Sequence, residues 1–462
     1  MITRPIRNIL ESGKEGEKLS IPGWVRTVRD SKNVVFISLN DGSSITGLQL
    51  VVEKDSFSDL ETLGKISVGS AIIAEGTLKK SQGQGQSIEL LVSSIKIEGL
   101  SPEDYPLQKK RHTLEYLREI AHLRARTNTL GAVERVRSRM SYAVHSFFQD
   151  RGFMYVHTPI ITASDCEGAG EMFQVTTLDM DKLPLTKQGK VDYEKDFFQK
   201  KAYLTVSGQL EGETYATAMG NIYTFGPTFR AENSNTKRHL AEFWMIEPEM
   251  AFADINDNMK VAEDFLKYIF KDILEHQEED MDFFDNFVEK GVKKSLMHVV
   301  ETPFVHMTYT DAIKELEKNN DKFDYPVKWG VDIQTEHERY LTEVVASSPV
   351  IVTDYPKEIK SFYMKQNDDG KTVRGMDVLV PRLGEIIGGS EREADYDKLL
   401  ARIKELGLKE ENYSWYLDLR KYGSCTHSGF GLGFERAILY ATGMQNIRDV
   451  IPYPRYVHNA SF

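Results

Sequence analysis

Residues 228–247 read TFRAENSNTKRHLAEFWMIE, and this stretch decides how the larger part of the chain is interpreted. Its two ends have the aromatic and β-branched composition of strands, and the residues between them are polar, so the pattern predicts a hairpin. Arg230, Arg238 and His239 would lie together at its loop, where arginine offers paired donors to phosphate oxygens. The stretch predicts a site for a nucleotide or another polyanion, with an exposed, solvated hairpin as the alternative.

A glycine-rich segment, GFGLGFER at residues 429–436, superficially matches loops that bind phosphate. It lacks the GxxxxGK(S/T) pattern, and it does not open the helix of a βαβ unit. Neither a Walker loop nor a dinucleotide-binding loop is therefore favoured.

The first hundred residues have the pattern of a small β-barrel. Residues 21–98 contain five short runs rich in β-branched and aromatic residues: Gly23–Arg26, Val34–Leu39, Ile45–Val52, Ala71–Ala74 and Ile88–Val92. Five strands in so short a span predict the five-stranded oligonucleotide-binding (OB) fold. On its strand face Phe36 could stack on a base with Gln49 beside it, although a phenylalanine buried in the core is the alternative.

The rest of the chain mixes strands and helices, which predicts an α+β domain. Two prolines within residues 101–106 interrupt regular structure and predict a linker. The predicted division is a barrel over 1–100, a linker over 101–127 and a larger domain over 128–462. That domain has the strands Phe153–Val156, Tyr203–Val206 and Phe243–Ile246 and helices near 128–150, 254–276, 332–346, 394–406 and 431–443. The polar, lysine-rich residues 178–200 predict a surface insertion.

Composition limits the class of protein. A chain of 462 residues is too long for one compact core, and no apolar run approaches the length of a membrane helix. Two cysteines, Cys166 and Cys425, give no disulfide framework or metal motif, so we expect a cytoplasmic protein. The net charge of −12 is unusual for a nucleic-acid-binding protein. Residues 1–100, however, carry twelve basic and twelve acidic side chains, and the acidity lies beyond them.

Three segments together resemble a known family. Residues 229–247 resemble motif 2 of the class II aminoacyl-tRNA synthetases, residues 431–436 resemble motif 3, and the helix leading to Pro159 resembles motif 1. With a barrel in front, the order is similar to that of the aspartyl, asparaginyl and lysyl subgroup. This resemblance implies an antiparallel catalytic sheet flanked by helices, a homodimer formed through motif 1 and a barrel that reads the anticodon.

The resemblance also implies roles for individual residues. The α-phosphate of ATP would be bound by Arg230, and Arg436 would lie on the γ-phosphate or the adenine ring. The remaining ATP contacts would come from Glu232, Arg238, His239, Phe243 and Glu385. Of these residues Arg230, Glu232 and Arg436 are the expected catalytic set. Asp377 and Glu385 would hold Mg²⁺, and Phe36 and Gln49 would contact the anticodon.

The amino-acid pocket favours asparagine over aspartate. Aspartyl enzymes carry a Ser-Pro-Gln-x-x-Lys segment whose lysine neutralises the substrate carboxylate, but the matching segment here ends in Gly212. A neutral carboxamide needs a donor and an acceptor instead of a cation, and Arg392 and Glu247 would supply them. The α-ammonium and carboxylate would be held by Glu167, Ser207 and Gln209. The expected partners are therefore ATP, L-asparagine and tRNA(Asn).

Three alternatives remain at this point. An aspartyl-tRNA synthetase of relaxed specificity would disagree with Gly212 and Glu247. An ammonia-dependent asparagine synthetase would lack the barrel, and a non-catalytic relative would have lost Arg230, Glu385 or Arg436, all of which are present.

Overall fold

A computed structural model describes residues 4–81, 83, 85–166 and 171–462. The chain forms two compact units. One unit contains residues 1–136, 277–283 and 462, and the other contains residues 137–276 and 284–461.

Strands and helices follow one another along the whole chain. In the described residues the strands are β1 (Lys18–Asp30), β2 (Val34–Asn40), β3 (Leu48–Glu53), β4 (Ala71–Lys80), β5 (Ile88–Gly99), β6 (Met154–Tyr155), β7 (Ile161–Thr162), β8 (Gln174–Val175), β9 (Ala202–Leu204), β10 (Asn221–Phe229), β11 (Glu242–Ala251), β12 (Val305–Thr308), β13 (Val350–Pro356), β14 (Thr372–Val380), β15 (Gly384–Glu391) and β16 (His427–Gly433). The α-helices are α1 (Ile6–Ser12), α2 (Leu60–Lys65), α3 (Leu114–Glu119), α4 (Ala121–Arg124), α5 (Asn128–Gln149), α6 (Gln209–Met219), α7 (Ile255–His276), α8 (Glu278–Phe287), α9 (Val292–Glu301), α10 (Tyr309–Glu317), α11 (Thr335–Tyr340), α12 (Tyr396–Glu405), α13 (Glu410–Lys421) and α14 (Phe434–Thr442).

The N-terminal strands close into the expected barrel. Within the described residues its strand order is β1-β2-β3-β5-β4, with α2 between β3 and β4. The alternation along β2 shows how the sequence specifies this arrangement, because Val35, Ile37 and Leu39 are buried whereas the residues between them are not. The prediction of a five-stranded OB-type barrel is confirmed.

The second unit is built on a large mixed sheet. Its described residues form eight strands in the order β12-β13-β14-β15-β16-β11-β10-β6, and the pairs from β13 to β10 are all antiparallel. Helices α6, α7 and α14 pack against its strands. The predicted α+β class and the antiparallel sheet flanked by helices are confirmed. A smaller sheet, β7-β9-β8, carries the segment that leads into residues 178–200.

The predicted helices differ from the observed ones at their boundaries, and helices α6, α10 and α13 were not predicted. The predicted helix near 431–443 begins only at Phe434, because the glycines before it extend β16. The predicted helix near 332–346 is α11 followed by a π-helical turn over Leu341–Val345. In the part of the chain that the structure describes, no helix is long and apolar enough to cross a membrane.

Candidate active site

The hairpin expected from residues 228–247 is present and lines a cleft. Strands β10 and β11 pair in antiparallel register from Asn221–Met250 to Phe229–Glu242, and the polar loop joins them. One cleft brings together all seven residues assigned to ATP from the sequence: Arg230, Glu232, Arg238, His239, Phe243, Glu385 and Arg436. Residues separated by about 200 positions in the chain thus surround a single cavity.

Two arginines with different contacts line this cleft. The Arg230 guanidinium lies over the Phe243 ring, 5.4 Å from its centroid. Arg436, in the first turn of α14, donates to the backbone oxygen of Glu385 at 3.2 Å and lies 3.7 Å from its carboxylate. Burial, with the nearby charge of Arg436 next, lowers the pKa of Arg238. The cleft therefore concentrates positive charge, which suits a polyphosphate ligand.

Three carboxylates lie near one another beside the arginines. Asp377 on β14 forms an ion pair with Lys360 at 2.7 Å, and Glu385 lies on the neighbouring strand β15. Glu338 of α11, which the sequence did not single out, accepts a hydrogen bond from the backbone N–H of Glu385 at 3.1 Å. Burial, followed by the charges of Glu385 and Asp377, raises the pKa of the Glu338 carboxyl to about 8. Burial and the neighbouring carboxylates therefore both disfavour ionisation of Glu338.

A metal ion would need additional ligands at this place. Among the described residues, no three His, Cys, Asp or Glu side chains are arranged to hold a metal by themselves. Oxygen atoms of Glu385 and Asp377 lie 3.3 and 3.5 Å from the point that a Cβ on Gly388 would occupy, so the two carboxylates face a common space. Magnesium commonly takes one or two carboxylates and completes its shell with water and substrate phosphate.

Arg392 lies at the centre of a buried polar network. Its side chain is 2% exposed and donates to both oxygens of Glu249, at 3.2 and 2.5 Å. A second buried carboxylate, Glu213, lies 3.8 Å away and is paired with Arg420. Burial lowers the pKa of the Arg392 guanidinium, but Glu249 and Glu213 outweigh this effect and raise it above its ordinary value. Arg392 is thus a fixed cation with a carboxylate beside it.

The expected amino-acid residues lie around this network. Ser207 donates its hydroxyl to Glu247, which also accepts from the backbone N–H of Gly208 at 3.0 Å and from Thr224 at 2.8 Å. The Gln209 amide donates to Glu213 at 3.0 Å, inside the buried network. Glu167 lies outside the described residues. The structure therefore brings Ser207, Glu247 and Arg392 to one region, with Gln209 directed at Glu213.

Position 212 faces the same region. A Cβ on Gly212 would lie 3.8 Å from Glu249 and 3.8 Å from Thr224. A lysine at this position would therefore extend beside Glu249 and add a second cation next to Arg392. With glycine there, Arg392 is the cation that faces Glu249, which agrees with the argument for a neutral carboxamide.

The two residues assigned to the anticodon share an outer face of the barrel. Phe36 is half-buried and its ring lies 4.5 Å from the Arg29 guanidinium. Gln49 pairs across the sheet with Ser38, two residues from Phe36, so Phe36 and Gln49 are diagonal neighbours. The side chain of Phe36 thus lies outside the barrel core, contrary to the alternative of a buried phenylalanine.

Several site residues escaped the sequence analysis. Glu249 follows Glu247 by two positions on β11, and the period of a strand places both on one face. This alternation could have identified Glu249 from the sequence. Glu213 follows Gln209 by four positions on α6, which places both on one face of that helix. No local signal marks the residues that reach the site from distant parts of the chain: Glu338, Lys360, Arg420 and Tyr456.

Substitution of Gly208 by alanine is expected to raise the KM for the amino acid about tenfold and to leave the KM for ATP nearly unchanged. A Cβ there would lie 2.4 Å from the Thr158 hydroxyl oxygen and 3.2 Å from a Glu247 oxygen, so Glu247 would move. Steady-state pyrophosphate exchange measures both constants. The double variant with Thr158→Ala removes the closer contact and should recover part of the loss; an equal KM in both variants would contradict this explanation.

Comparisons with known proteins agree with this geometry. Residues 113–457 match the family model of class II tRNA synthetases for D, K and N, and residues 19–98 match the OB-fold nucleic-acid-binding domain. The chain is 61% identical to asparagine–tRNA ligase of Acetivibrio thermocellus, over the full length of both, and 60% identical to that of Treponema denticola, over 99% of each.

A solved structure gives the same result. Asparaginyl-tRNA synthetase from Pyrococcus horikoshii, complexed with asparaginyl-adenylate, matches with a TM-score of 0.85 and 33% identity over 96% of each chain. The sequence relatives and the similar solved structure therefore indicate the same family. The chain belongs to the class II tRNA synthetases and, within them, to the family of asparagine–tRNA ligases, which are ATP-dependent enzymes.

Proposed function

We propose that this protein activates L-asparagine with ATP, releases pyrophosphate, and transfers asparagine from the adenylate to the 3′-terminal adenosine of tRNA(Asn). The observation that supports this proposal best is the single cleft lined by Arg230, Arg436 and the polar loop. The strands that line it, β11 and β15, also position the buried pair of Glu249, on β11, and Arg392, directly after β15. One side of the site thus suits phosphate and the other a small polar side chain.

Activation requires attack of the asparagine carboxylate on the α-phosphate of ATP. Two anions approach each other in this step, so fixed positive charge stabilises the transition state more than the ground state. Arg230 would contact the α-phosphate, and Arg436 the γ-phosphate or the adenine ring. Arg238 and His239 would hold the triphosphate, Phe243 would stack on adenine, and Glu232 would accept from its amino group. The catalytic contributions belong to Arg230, Glu232 and Arg436.

The asparagine side chain would be recognised by a donor and an acceptor. Arg392 would donate to the carboxamide oxygen, and Glu247 would accept from its nitrogen, with Glu249 holding the Arg392 guanidinium in place. Ser207, Gln209 and Glu167 would hold the α-ammonium and carboxylate. An aspartate side chain would be poorly neutralised, because position 212 supplies no cation and two carboxylates lie nearby.

Glu385, which lines the cleft, and Asp377 on the neighbouring strand β14 offer carboxylates that fit a magnesium ion. Asp377 and Glu385 would hold it together with phosphate oxygens, and it would neutralise phosphate charge when bound. Lys360 fixes the Asp377 carboxylate and Glu338 fixes the backbone of Glu385. At Gly384, φ is +90° and a Cβ would lie 2.2 Å from Glu338, so glycine allows this close approach.

The remaining partners follow from the rest of the molecule. Phe36 and Gln49 would contact the anticodon, since single-stranded bases stack on exposed aromatic side chains. A homodimer is supported by partly exposed apolar side chains on α5 and β6, namely Tyr142, Met154 and Tyr155. A cytoplasmic location is proposed because two cysteines in 462 residues give no disulfide framework.

Amino-acid-dependent exchange of labelled pyrophosphate into ATP tests this proposal. With the purified protein and magnesium, we expect exchange with asparagine and at least about a hundredfold less with aspartate or lysine, because a site built for polar recognition rejects a mismatched group strongly. Chelation of magnesium should stop the reaction. Exchange mainly with aspartate would contradict the interpretation of Gly212 and Glu247, and the absence of exchange with every amino acid would contradict the activity itself.

A further inference from the structure

The insertion over residues 178–200 presents two adjacent phenylalanine side chains on the surface. Phe197 is 73% exposed and Phe198 is 42% exposed, and their ring centroids lie 4.8 Å apart in an edge-to-face arrangement. Burying exposed aromatic rings against a partner is favourable, so two adjacent exposed rings indicate a contact surface.

The aromatic pair is held in place by its neighbour. Asp196 is buried and accepts hydrogen bonds from the hydroxyls of Thr176 and Thr177 at 2.7 and 3.0 Å, from the Thr177 N–H at 2.9 Å and from the Phe197 N–H at 2.8 Å. These hydrogen bonds, led by the one from Thr176, lower the pKa of Asp196 to about 2. One carboxylate thus joins the beginning and the end of the insertion, and the two rings need little ordering on binding.

The chain on both sides of the rings is locally basic. Lys195, Lys200 and Lys201 are exposed, whereas Asp196 is turned inward, so Glu194 is the exposed acidic residue between positions 193 and 201. Over residues 178–200 as a whole, five lysines balance five acidic residues, so the positive excess is confined to the chain next to the rings. Lysine beside exposed aromatic rings is the chemistry that binds single-stranded nucleic acid, since phosphates meet the cations and bases stack on the rings.

The insertion is attached directly beside the catalytic hairpin. The N–H of Ala231, in the loop that lines the cleft, donates to the backbone oxygen of Glu171 at 2.7 Å. Thr176 follows Glu171 by five residues, which corresponds to at most about 18 Å of extended chain. On the other side of the insertion, Thr205 accepts from the N–H of Phe229 at 2.8 Å. Both ends of the segment that carries the rings are therefore tied by backbone hydrogen bonds to the hairpin that lines the cleft.

We propose that Phe197 and Phe198, with Lys195, Lys200 and Lys201, form a docking surface for the single-stranded 3′ end of the tRNA as it approaches the cleft. This inference rests on the proposed aminoacylation, which requires that end to reach the adenylate. The rings stack on unpaired bases and the lysines contact the phosphates. The surface takes part in the transfer step and has no role in adenylate formation.

Two double variants of the full-length protein test this docking surface. Phe197→Ala/Phe198→Ala is expected to raise the KM for tRNA in aminoacylation at least about tenfold, because each stacked base that loses its aromatic ring loses that much affinity in other proteins. The tRNA-independent pyrophosphate exchange should stay unchanged. Lys195→Ala/Lys200→Ala should also weaken binding and should reduce the slope of log Kd against log salt by roughly one to two. Tyr422→Ala, at another side chain that is 71% exposed, serves as the matched control.

A truncated substrate adds a second readout. With tRNA that lacks its single-stranded 3′ end, the wild type and the phenylalanine variant should bind equally, because the contact is already absent. An unchanged KM for full tRNA would overturn the proposal, and so would an equal loss of exchange. Conversion of the variant to monomers without a change in KM would instead assign the surface to a contact between copies of the chain. Wild-type exchange with asparagine is measured first, so that a failure of the proposed function is distinguished from a failure of this inference.

Discussion

Replacement of Arg392 by alanine is expected to abolish asparagine-dependent exchange and to lower the free energy of unfolding by about 3–5 kcal/mol. Arg392 is buried and bonded to both oxygens of Glu249, so its removal leaves that carboxylate in a low-dielectric site without its cation. Glu213 keeps Arg420, so the damage is centred on Glu249. Chemical denaturation and pyrophosphate exchange measure the two effects.

Two further variants separate the causes of this effect. Arg374→Ala also removes an arginine from an ion pair. The Arg374 side chain is 37% exposed, and its partner Glu391 keeps a second ion pair with Lys365. We therefore expect the free energy of unfolding to change by less than about 1 kcal/mol. The double variant Arg392→Ala/Glu249→Ala should recover much of the stability and none of the activity, because the unpaired charge is gone but the donor is still missing. Full stability of the single variant would contradict the description of the buried pair.

Replacement of Arg230 by alanine is expected to slow exchange by about a hundredfold to a thousandfold, with little change in stability. Loss of one donor aimed at developing charge has this magnitude in other active sites. The side chain is only half-buried, so its truncation leaves no large cavity. Initial rates of pyrophosphate exchange at saturating ATP and asparagine, together with the thermal midpoint of unfolding, measure both quantities.

The charge and the geometry of Arg230 can be tested separately. Arg230→Lys keeps a cation but loses the planar pair of donors, so its rate should lie between those of the wild type and the alanine variant. Arg374→Ala should exchange at the wild-type rate. If Arg230→Ala changed the KM for ATP and not the rate constant, Arg230 would bind the ground state and the transition state equally, which contradicts the catalytic role.

Much of the fold follows from local patterns in the sequence. Alternation of buried and exposed residues identifies β2, and the stripe of Val133, Val136, Met140 and Val144 identifies α5, because each pattern repeats with the period of its element. The prediction missed helices such as α6, which shows little amphipathic pattern because the residues it buries include the polar Gln209 and Glu213 as well as a glycine.

Part of the nucleotide side of the site could be predicted from the sequence for a similar reason. Arg230, Arg238 and His239 belong to one hairpin loop, and their chemistry and spacing are visible in a single stretch of sequence. Glu385 and Arg436 come from elsewhere and could be assigned only through the resemblance to a family. Whether all of these side chains bind ATP stays a prediction, as do the domain boundaries drawn from the sequence.

The sequence by itself determined the barrel and the strand–loop–strand hairpin. It also places a glycine at position 212, where aspartyl enzymes carry a lysine. Only the tertiary structure decided which charges meet: Arg392 with Glu249 at a separation of 143 residues, and Glu338 with the backbone of Glu385 across 47 residues. The physical reason is that strand and helix patterns arise from neighbours in the chain, whereas the energy of a buried charge depends on partners and solvent exclusion that folding brings together.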